Sequence, residues 1–487
     1  MTGSNSLEIM VWRAADRLRG IVAEQTLGEC LLALVLLRHA SETQRGVDGD
    51  SKRLIVPESA KFERLLALRD PDEMVVGLSG ALADLERQNT SRLGGIFSHL
   101  RASIDGAART RGFGEALAEA IKLIGFAETN AAEGESELSA MQRAVELLMA
   151  SFATSSAERQ GEIYTPSQVA KLLAEVTSPS SGDVVYDPVC GTAGFLVSAA
   201  EYVRLHHPNA RIELVGQELA ARPSMLAALN VFLNGLDERG ITRGDSLCDP
   251  ITTREGALRR YDVVVGNPPY SMPRSDADLY RTDLHRRFRY GVPPPGRADY
   301  AFIQLMIAST KPDTGRMAVI VPHGVLFRGG SEGAIRKQLI EHNMLDAIVG
   351  LPPKLFYNTA IPTAMLYFRH GRTDDSIMFV DASRGYESDR RLNRLRDQDI
   401  ARIVDTLRRR ATIAEYSNLV GREQVRENEF NLNIRRYVGH GNQPARSVDD
   451  AELAERENAL TAELADLQRQ IRERMREVGV HVRKPST

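Results

Sequence analysis

The chain of 487 residues shows two kinds of hydrophobic pattern in succession. Between about residues 7 and 153, apolar side chains recur every three or four positions, as at Ile9, Trp12 and Leu18, which predicts amphipathic helices. After residue 155, helical stretches alternate with short β-branched runs, the pattern of an α/β sheet. Residues 1–155 are therefore predicted to form an all-α N-terminal domain, and residues 156–438 an α/β domain.

The C-terminal region, 439–487, has a third pattern. Residues 439–444 predict a linker. Beyond it, apolar residues fall at intervals of three, four or seven among glutamates and arginines: Leu453, Leu460, Leu464, Leu467, Ile471 and Met475. This spacing predicts a C-terminal coiled-coil helix about three heptads long. Because one helix cannot bury such a stripe alone, a partner helix is expected.

Three predicted strands of the α/β domain end in acidic residues, Asp187, Glu218 and Asp245. In an open α/β sheet, ligands bind at the carboxyl ends of the strands. A carboxylate at Asp187 would repel a phosphate but attract the α-ammonium of S-adenosylmethionine. Glu218 is expected to accept hydrogen bonds from the ribose hydroxyls of that cofactor, and Asp245 to contact its adenine.

A glycine-containing turn follows Asp187 and leads into a helix. Gly191 and Gly194 let the backbone pass close to a ligand, but the spacing is not Gly-x-Gly-x-x-Gly, so the turn alone is a weak indication of nucleotide binding. Upstream of it, Thr165 is predicted to be the N-cap of a helix and Pro166 its first residue.

The most informative stretch is Asn267-Pro268-Pro269-Tyr270, which follows a run of three valines at 263–265. The valine run predicts a strand buried on both faces. The two prolines fix φ and lack amide donors, so the turn is stiff and offers only acceptors. The Asn267 side-chain oxygen and the Pro268 carbonyl are expected to accept from one amino group, while Tyr270 offers a flat face for stacking. We therefore predict that these four residues hold a base whose exocyclic amine attacks an electrophile.

Composition narrows the possible functions. The net charge of −3 means that any nucleic-acid contact must come from local basic patches. The proline- and arginine-rich stretch 274–297 is one such patch, and its predicted DNA contacts are Arg286, Arg287, Arg289 and Arg297. The three cysteines show no metal-ligand spacing, and no apolar run is long enough to cross a bilayer. We therefore expect a cytoplasmic protein with no metal site and no membrane association.

The motifs together identify a resemblance to the modification (M) subunits of type I restriction–modification systems, which are adenine-N6 DNA methyltransferases. The resemblance covers most of the chain. Its segments are 33–38, 163–166, 187–188, 191–194, 267–270, 297–302, 322–328, 350–352, 355–356, 431–434 and 436–437.

The resemblance implies a class I S-adenosylmethionine-dependent methyltransferase (Rossmann-like) domain, which we expect to have seven strands. It implies cofactor contacts at Glu162, Ile163, Tyr164, Thr165, Pro166 and Ser167, at Thr192, Ala193 and Gly194, and at Glu218. Two positions depart from the family pattern. Glu162 stands where the family often has Gln, and Tyr270 where it often has Phe.

The reaction implied is methyl transfer from S-adenosylmethionine to adenine N6 in double-stranded DNA, with the adenine flipped out of the stack. The implied partners are double-stranded DNA, a specificity (S) subunit bound through the C-terminal helix, a restriction (R) subunit and a second copy of the M subunit. Three alternatives stay open: a methyltransferase of another methylation-based phage-defence system, a protein-glutamine methyltransferase, and a silent architectural subunit that clamps DNA for a nuclease.

Overall fold

The computed structural model describes residues 6–43, 54–90, 95–127, 148, 165–207, 210–274, 277–356, 361–388 and 392–439. Glu162, Ile163 and Tyr164 lie outside the described residues, as does the predicted coiled-coil seam. Those predictions therefore stay predictions.

The N-terminal region is helical, as its apolar periodicity predicts. Its helices are α1 (Leu7–Leu18), α2 (Glu24–Thr43), α3 (Phe62–Ala67), α4 (Pro71–Gln88), α5 (Ile96–Ala107) and α6 (Phe113–Gly125). Helix α4 shows why the sequence begins a helix there: the Asp70 side chain caps the Asp72 amide, and Pro71 occupies the first turn, where a missing amide hydrogen costs nothing. The apolar stripes of these helices meet in one core.

The second region is built on one sheet. Its strands are β1 (Val184–Asp187), β2 (Glu213–Glu218), β3 (Ile241–Arg243), β4 (Val263–Gly266), β5 (Arg316–Pro322), β6 (Leu345–Gly350), β7 (Thr363–Arg369), β8 (Ile377–Asp381) and β9 (Ser417–Val420). Their order is β3-β2-β1-β4-β5-β7-β6-β8-β9. Strands β1 to β5 pair in parallel, and β7 is antiparallel to both of its neighbours.

Strands β1 to β7 are neighbours in one continuous part of the sheet. The expectation of seven strands was wrong, because the described sheet has nine. Strand β8 pairs in parallel with β6, and β9 pairs antiparallel with β8. These two strands extend the sheet at the edge away from β1 and β4.

Helices cover both faces of the sheet. They are α7 (Ser167–Thr177), α8 (Gly194–His206), α9 (Ala221–Leu233), α10 (Ala277–Arg281), α11 (Asp299–Ala308), α12 (Gly330–Glu341), α13 (Asp397–Arg409) and α14 (Arg422–Glu427). Alternate residues of β4 enter different cores: Val263 and Val265 pack on one face, and Val264 on the other. Burial on both faces explains the unbroken apolar run that predicted this strand.

Helix α9 joins the two regions. Its residues Leu229 and Phe232 belong to the same apolar cluster as the N-terminal helices. Glu29 of α2 is fully buried and bonds Arg222 of α9 at 2.8 Å. Within the described residues, no helix is both long and apolar enough to span a membrane.

Candidate active site

The polar strand ends predicted from the sequence lie on one rim of the sheet. Strands β1 and β4 are parallel neighbours in which Tyr186 pairs with Val264, so their carboxyl ends, Asp187 and Gly266, emerge side by side. A Cβ added to Gly266 would lie 3.5 Å from Asp187 Oδ1 and 3.1 Å from Met306 Cε. The Asp187 carboxyl therefore lies directly beside the strand that leads to Asn267.

Asp187 is a buried carboxyl with an unused acceptor. Its exposed fraction is 1%. Oδ1 accepts a hydrogen bond from the Val189 amide at 3.0 Å, but Oδ2 has no hydrogen-bond partner among the described residues. Burial, with a further contribution from the negative charge of Glu218, raises the pKa of Asp187 to about 8. A buried carboxyl with a free oxygen and no cation fits a positively charged ligand group such as the α-ammonium of S-adenosylmethionine.

The turn after Asp187 is held against the end of β2. The Gly191 amide donates to Glu218 Oε2 at 3.0 Å, and the Ala220 amide donates to Glu218 Oε1 at 2.8 Å. Gly191 and Ala193 both have positive φ, 52° and 64°, which sets the tight path into α8. A Cβ added at Gly191 or Gly194 would meet nothing within 4 Å, so the rim has open space at both positions. The Glu218 carboxylate and the open space fit the ribose and chain of the predicted cofactor.

The Asn267 amide is fixed at both ends. Its Nδ2 donates to Thr165 Oγ1 at 3.1 Å, and its Oδ1 accepts from the Tyr270 hydroxyl at 2.8 Å. The amide nitrogen of Asn267 therefore lies on the Thr165 side, and its oxygen lies on the Tyr270 side. These bonds bring the segment 165–167, predicted to bind cofactor, into direct contact with the predicted catalytic turn.

The prediction that Thr165 caps a helix was wrong. Helix α7 begins at Ser167, and Pro166 occupies the cap position without a side-chain bond. Thr165 lies one residue too early to reach the first helical amides, and its hydroxyl bonds Asn267 instead. Spacing alone does not distinguish these two uses of a threonine before a proline.

Tyr270 is held by its hydroxyl and by its ring. The ring meets Phe356 edge-on, with centroids 6.4 Å apart and an interplanar angle of 86°. Burial raises the pKa of Tyr270 above its usual range, so the hydroxyl stays protonated and can donate to Asn267. Pro268 is buried and Pro269 half-buried, and neither has an amide hydrogen to compete for acceptors at the turn.

A buried ionic cluster supports the turn from behind. Asp299 Oδ1 accepts from the Ser271 amide at 3.1 Å, and Asp299 Oδ2 accepts from Arg328 at 3.2 Å. Arg328 also bonds the Ser271 hydroxyl and Glu332. Sequence reasoning assigned no role to this cluster. Two motif segments of the sequence, 297–302 and 322–328, contain its residues. Asp299 of the first segment and Arg328 of the second meet only in the folded chain.

Asp245 lies on the same side of the sheet but already has partners. Its Oδ2 receives both terminal nitrogens of Arg274 at 2.9 Å, and its Oδ1 accepts from the amides of Leu247 and Cys248. Burial raises the pKa of Asp245, but Arg274 outweighs that effect and the net pKa is lowered. The contact between Asp245 and the adenine of the cofactor stays a prediction. It would have to share the carboxylate oxygens of Asp245 with these donors.

The four arginines predicted to contact DNA are not equivalent. Arg287 is 2% exposed; it forms a two-pronged pair with Asp283, at 2.9 and 2.7 Å. Its remaining nitrogen donates to the Leu247 carbonyl at 2.9 Å. In this structure Arg287 therefore holds the loop together and is buried away from the surface that phosphate could reach, which corrects the prediction. Arg286, Arg289 and Arg297 are exposed.

Comparison with known proteins finds two families and several relatives that this chain resembles. The N-6 DNA Methylase family matches residues 137–445, and the HsdM N-terminal domain family matches residues 7–124. The MjaVII methylase subunit of a type I restriction enzyme from Methanocaldococcus jannaschii is 34% identical over 294 residues, which are 58% of this chain and 50% of that protein. The HindI methylase subunit from Haemophilus influenzae is 30% identical over 351 residues, 69% of this chain and 77% of that protein.

A solved structure has the same fold. The crystal structure of the type I restriction-modification system methyltransferase subunit from Streptococcus thermophilus superposes with a TM-score of 0.76 and 28% identity, covering 89% of this chain and 98% of that one. This chain spans about half the length of the Methanocaldococcus relative and nearly all of the Streptococcus chain. Because the family match covers residues 137–445, more than half of the chain, the chain belongs to the N-6 DNA methylase family.

Proposed function

We propose that this chain transfers a methyl group from S-adenosylmethionine to adenine N6 in double-stranded DNA, as the modification subunit of a type I restriction–modification complex. One observation carries the proposal. Two groups lie at neighbouring strand ends on one rim: the buried carboxyl of Asp187, one oxygen of which has no partner among the residues that the structure describes, and the amide of Asn267, which is hydrogen-bonded through both its nitrogen and its oxygen. The first suits the cationic cofactor, and the second suits the amine of the base.

The cofactor would be held by residues of both neighbouring turns. Asp187 would bind the α-ammonium, and the Glu218 carboxylate would accept from the ribose hydroxyls. The backbone of 191–194 would border the cofactor where the rim is open. Thr165, Pro166 and Ser167 complete the described part of this proposed set, and Glu162, Ile163 and Tyr164 would extend it. When bound, S-adenosylmethionine supplies an electrophilic methyl group on its sulfonium.

The target amine would be held by two acceptors. Asn267 Oδ1 accepts one bond from Tyr270, and a carbonyl oxygen has a second lone pair for an N6 hydrogen of adenine. The Pro268 carbonyl would accept the other N6 hydrogen. Two acceptors on one amino group favour its conversion towards a tetrahedral nucleophile. The fixed amide and stiff turn would thus supply alignment, which is worth several powers of ten in rate.

The base itself would stack on the Tyr270 ring. The amine loses its proton to solvent after the attack, so no strong base is needed. His323, at the end of β5, is not required as one: its Nε2 lies 3.1 Å from the Thr363 carbonyl, and burial lowers its pKa. The residues assigned to the chemistry are therefore Asn267, Pro268, Pro269 and Tyr270.

The DNA and protein partners belong to the same proposal. Arg286, Arg289 and Arg297 are exposed in the segment after the catalytic turn and would contact phosphates. The predicted C-terminal helix within residues 439–487 would bind the specificity subunit, and a second copy of this chain and a restriction subunit would complete the complex. A cytoplasmic location, where the DNA is, follows from this function.

Two measurements test the proposal. Methylated adenines are sequenced in DNA from cells that carry and cells that lack the gene, and a labelled methyl group is followed from S-adenosylmethionine with the purified complex. We expect a methylated adenine in one sequence context, present only with the gene. Label on a protein glutamine would favour the protein methyltransferase instead. Binding of DNA without binding of S-adenosylmethionine would favour the architectural subunit.

A further inference from the structure

A long loop leaves the catalytic turn and returns beside it. The Ala298 amide donates to the Met272 carbonyl at 3.0 Å, and the Arg274 amide donates to the Pro295 carbonyl at 3.1 Å. These two bonds close the base of the loop immediately after Tyr270 and immediately before Asp299. Whatever the middle of the loop presents is therefore anchored next to the proposed site of methyl transfer.

One apolar side chain stands at the crest of this loop. Leu284 is 93% exposed, more than any other large apolar residue in the described part of the chain. Two other side chains of the turn are buried instead: those of Asp283 and Arg287 are 4% and 2% exposed. Asp283 accepts from both the backbone amide and the guanidinium of Arg287, which closes a turn whose outward position is Leu284.

The crest is fixed to the rim of the sheet. Arg287 donates to the Leu247 carbonyl at 2.9 Å and to the Ser246 carbonyl at 3.3 Å, in the segment that follows β3. Arg286, directly after Leu284 and His285, is exposed, as is Arg289. A preorganised turn therefore presents a leucine followed by two exposed cations that suit a polyanion.

We propose that Leu284 is an apolar wedge that enters the base stack of double-stranded DNA next to the adenine to be methylated. The inference rests on the proposed function. Extruding a base costs unpairing and unstacking energy, and it leaves a gap that an inserted apolar side chain fills, as in other proteins that distort DNA. Leu284 leaves water on insertion, so its burial offsets part of the cost of extrusion.

The test compares two leucines and two substrates. Leu284→Ser is assayed beside Leu205→Ser, in the full complex, on a duplex that carries the site found by sequencing methylated DNA. Leu205 is 78% exposed, but it lies near the end of α8. It is therefore on the side of the sheet where the parallel strands begin, away from the proposed site. The second duplex has an abasic position opposite the target adenine, which already removes the cost of unpairing.

For Leu284→Ser, we expect kcat/KM to fall about tenfold on the paired duplex and to stay within about twofold of wild type on the duplex with the abasic position. The affinity for S-adenosylmethionine should not change, and Leu205→Ser should behave as wild type on both duplexes.

An unchanged rate for Leu284→Ser overturns the proposal, and so does an equal loss on both duplexes, which would mean a general contact. A loss of complex assembly in gel filtration also overturns it, because Leu284 would then contact a protein. If neither wild type nor Leu284→Ser methylates DNA, the proposed function is refuted, and the proposed role of Leu284 is refuted with it.

Discussion

Asp187, at the carboxyl end of β1, differs from the acidic residues at the amino ends of the strands. At the edge where β1, β4 and β6 begin, three carboxylates have a cation: Asp183 pairs with Arg316 at 2.7 Å, Asp262 with Lys311 at 2.8 Å, and Asp346 with Arg369 at 2.7 Å. A cavity of about 820 Å³ opens at that edge. At the other edge, Asp187 ends β1 with a buried oxygen that has no hydrogen-bond partner in the described part of the chain.

The difference shows how a structural charge is told from a site for a ligand. An ion pair compensates the cost of removing a carboxylate from water with its own counter-ion. The large cavity at the first edge is lined by Arg316, Arg369 and Arg410, and each of them already bonds an aspartate. Asp187 bears the cost of burial without a cation from the protein, and the compensation is left for a ligand. The presence of a cavity alone therefore does not identify the site, whereas a buried carboxyl without a partner among the described residues does indicate it.

The largest effect is expected from Asn267→Ala. Without the amide oxygen the target amine loses one of its two acceptors and its alignment, so methylation should fall by about 100-fold or more. The Kd of S-adenosylmethionine should stay close to that of wild type, because Asp187 and Glu218 are untouched. Methyl transfer and calorimetry measure the two quantities. Wild-type turnover in this variant would refute the assigned role.

An amide from the opposite edge serves as the control for that substitution. Asn343 donates to the Asp374 carbonyl at 2.8 Å and accepts from Arg372 at 3.0 Å. Asn343→Ala is expected to lower Tm while leaving kcat within about twofold, since its bonds are worth about 1 kcal/mol each. A loss of kcat equal to that of Asn267→Ala would break the distinction between the two edges.

The next effect compares the two ends of β1. Asp187→Asn removes the charge proposed to bind the α-ammonium and should weaken S-adenosylmethionine by about 30-fold, the lower end for a buried charge pair. Asp183→Asn removes a charge that Arg316 already satisfies, so it should lower the free energy of unfolding by about 1–3 kcal/mol and leave cofactor affinity unchanged. Calorimetry and denaturant unfolding measure the two. Equal cofactor affinities in the two variants would contradict the comparison.

The pH dependence of cofactor binding sharpens the same point. Burial raises the pKa of Asp187 to about 8, so at pH 6 the ligand-free carboxyl is mostly protonated and must lose its proton to pair with a cation. We expect affinity to rise between about pH 6 and 7.5, with protons released on binding. The pKa of the cofactor's own amino group limits the rise above that range. Calorimetry in buffers of different ionisation enthalpy measures the proton release, and Asp187→Asn should abolish it.

The stability of the ligand-free protein should change in the opposite direction. A carboxyl whose pKa is raised on folding stabilises the fold below the ordinary pKa of aspartate, and this contribution is lost as pH rises through about 8. The free energy of unfolding without cofactor should therefore fall between about pH 6 and 8.5 by more in wild type than in Asp187→Asn. A steeper fall in the variant would show that another group governs this range.

Much of the site followed from the sequence for a simple geometric reason. Parallel strands carry their carboxyl ends to one rim, so residues after β1 and β4 had to lie close together once the two strands were neighbours. The valine run of β4 was confirmed because a strand buried on both faces needs no alternation.

What the sequence did not reveal depends on contacts between side chains. Arg287 lies in an arginine-rich stretch of the sequence, which suggested a DNA contact. Only the fold shows that its side chain bonds Asp283, four residues earlier. Asp299 and Arg328, 29 residues apart, meet only when α11 and the end of β5 are in place. Strand β9 has four residues, two of them buried, too short for its periodicity to be recognised.

The smallest effect concerns the hydroxyl of Tyr270, which the family resemblance alone would treat as dispensable. Tyr270→Phe keeps the ring that would stack on the base but removes the donor to Asn267 Oδ1, and Thr165→Val removes the acceptor for Nδ2. Each lost bond is worth about 1 kcal/mol, so kcat should fall about fivefold in either variant, with KM for DNA little changed. The double variant should lose less than the product of the two, because both bonds orient one amide. Full additivity would mean that the two hydroxyls act separately, and the amide would then be oriented by the turn itself.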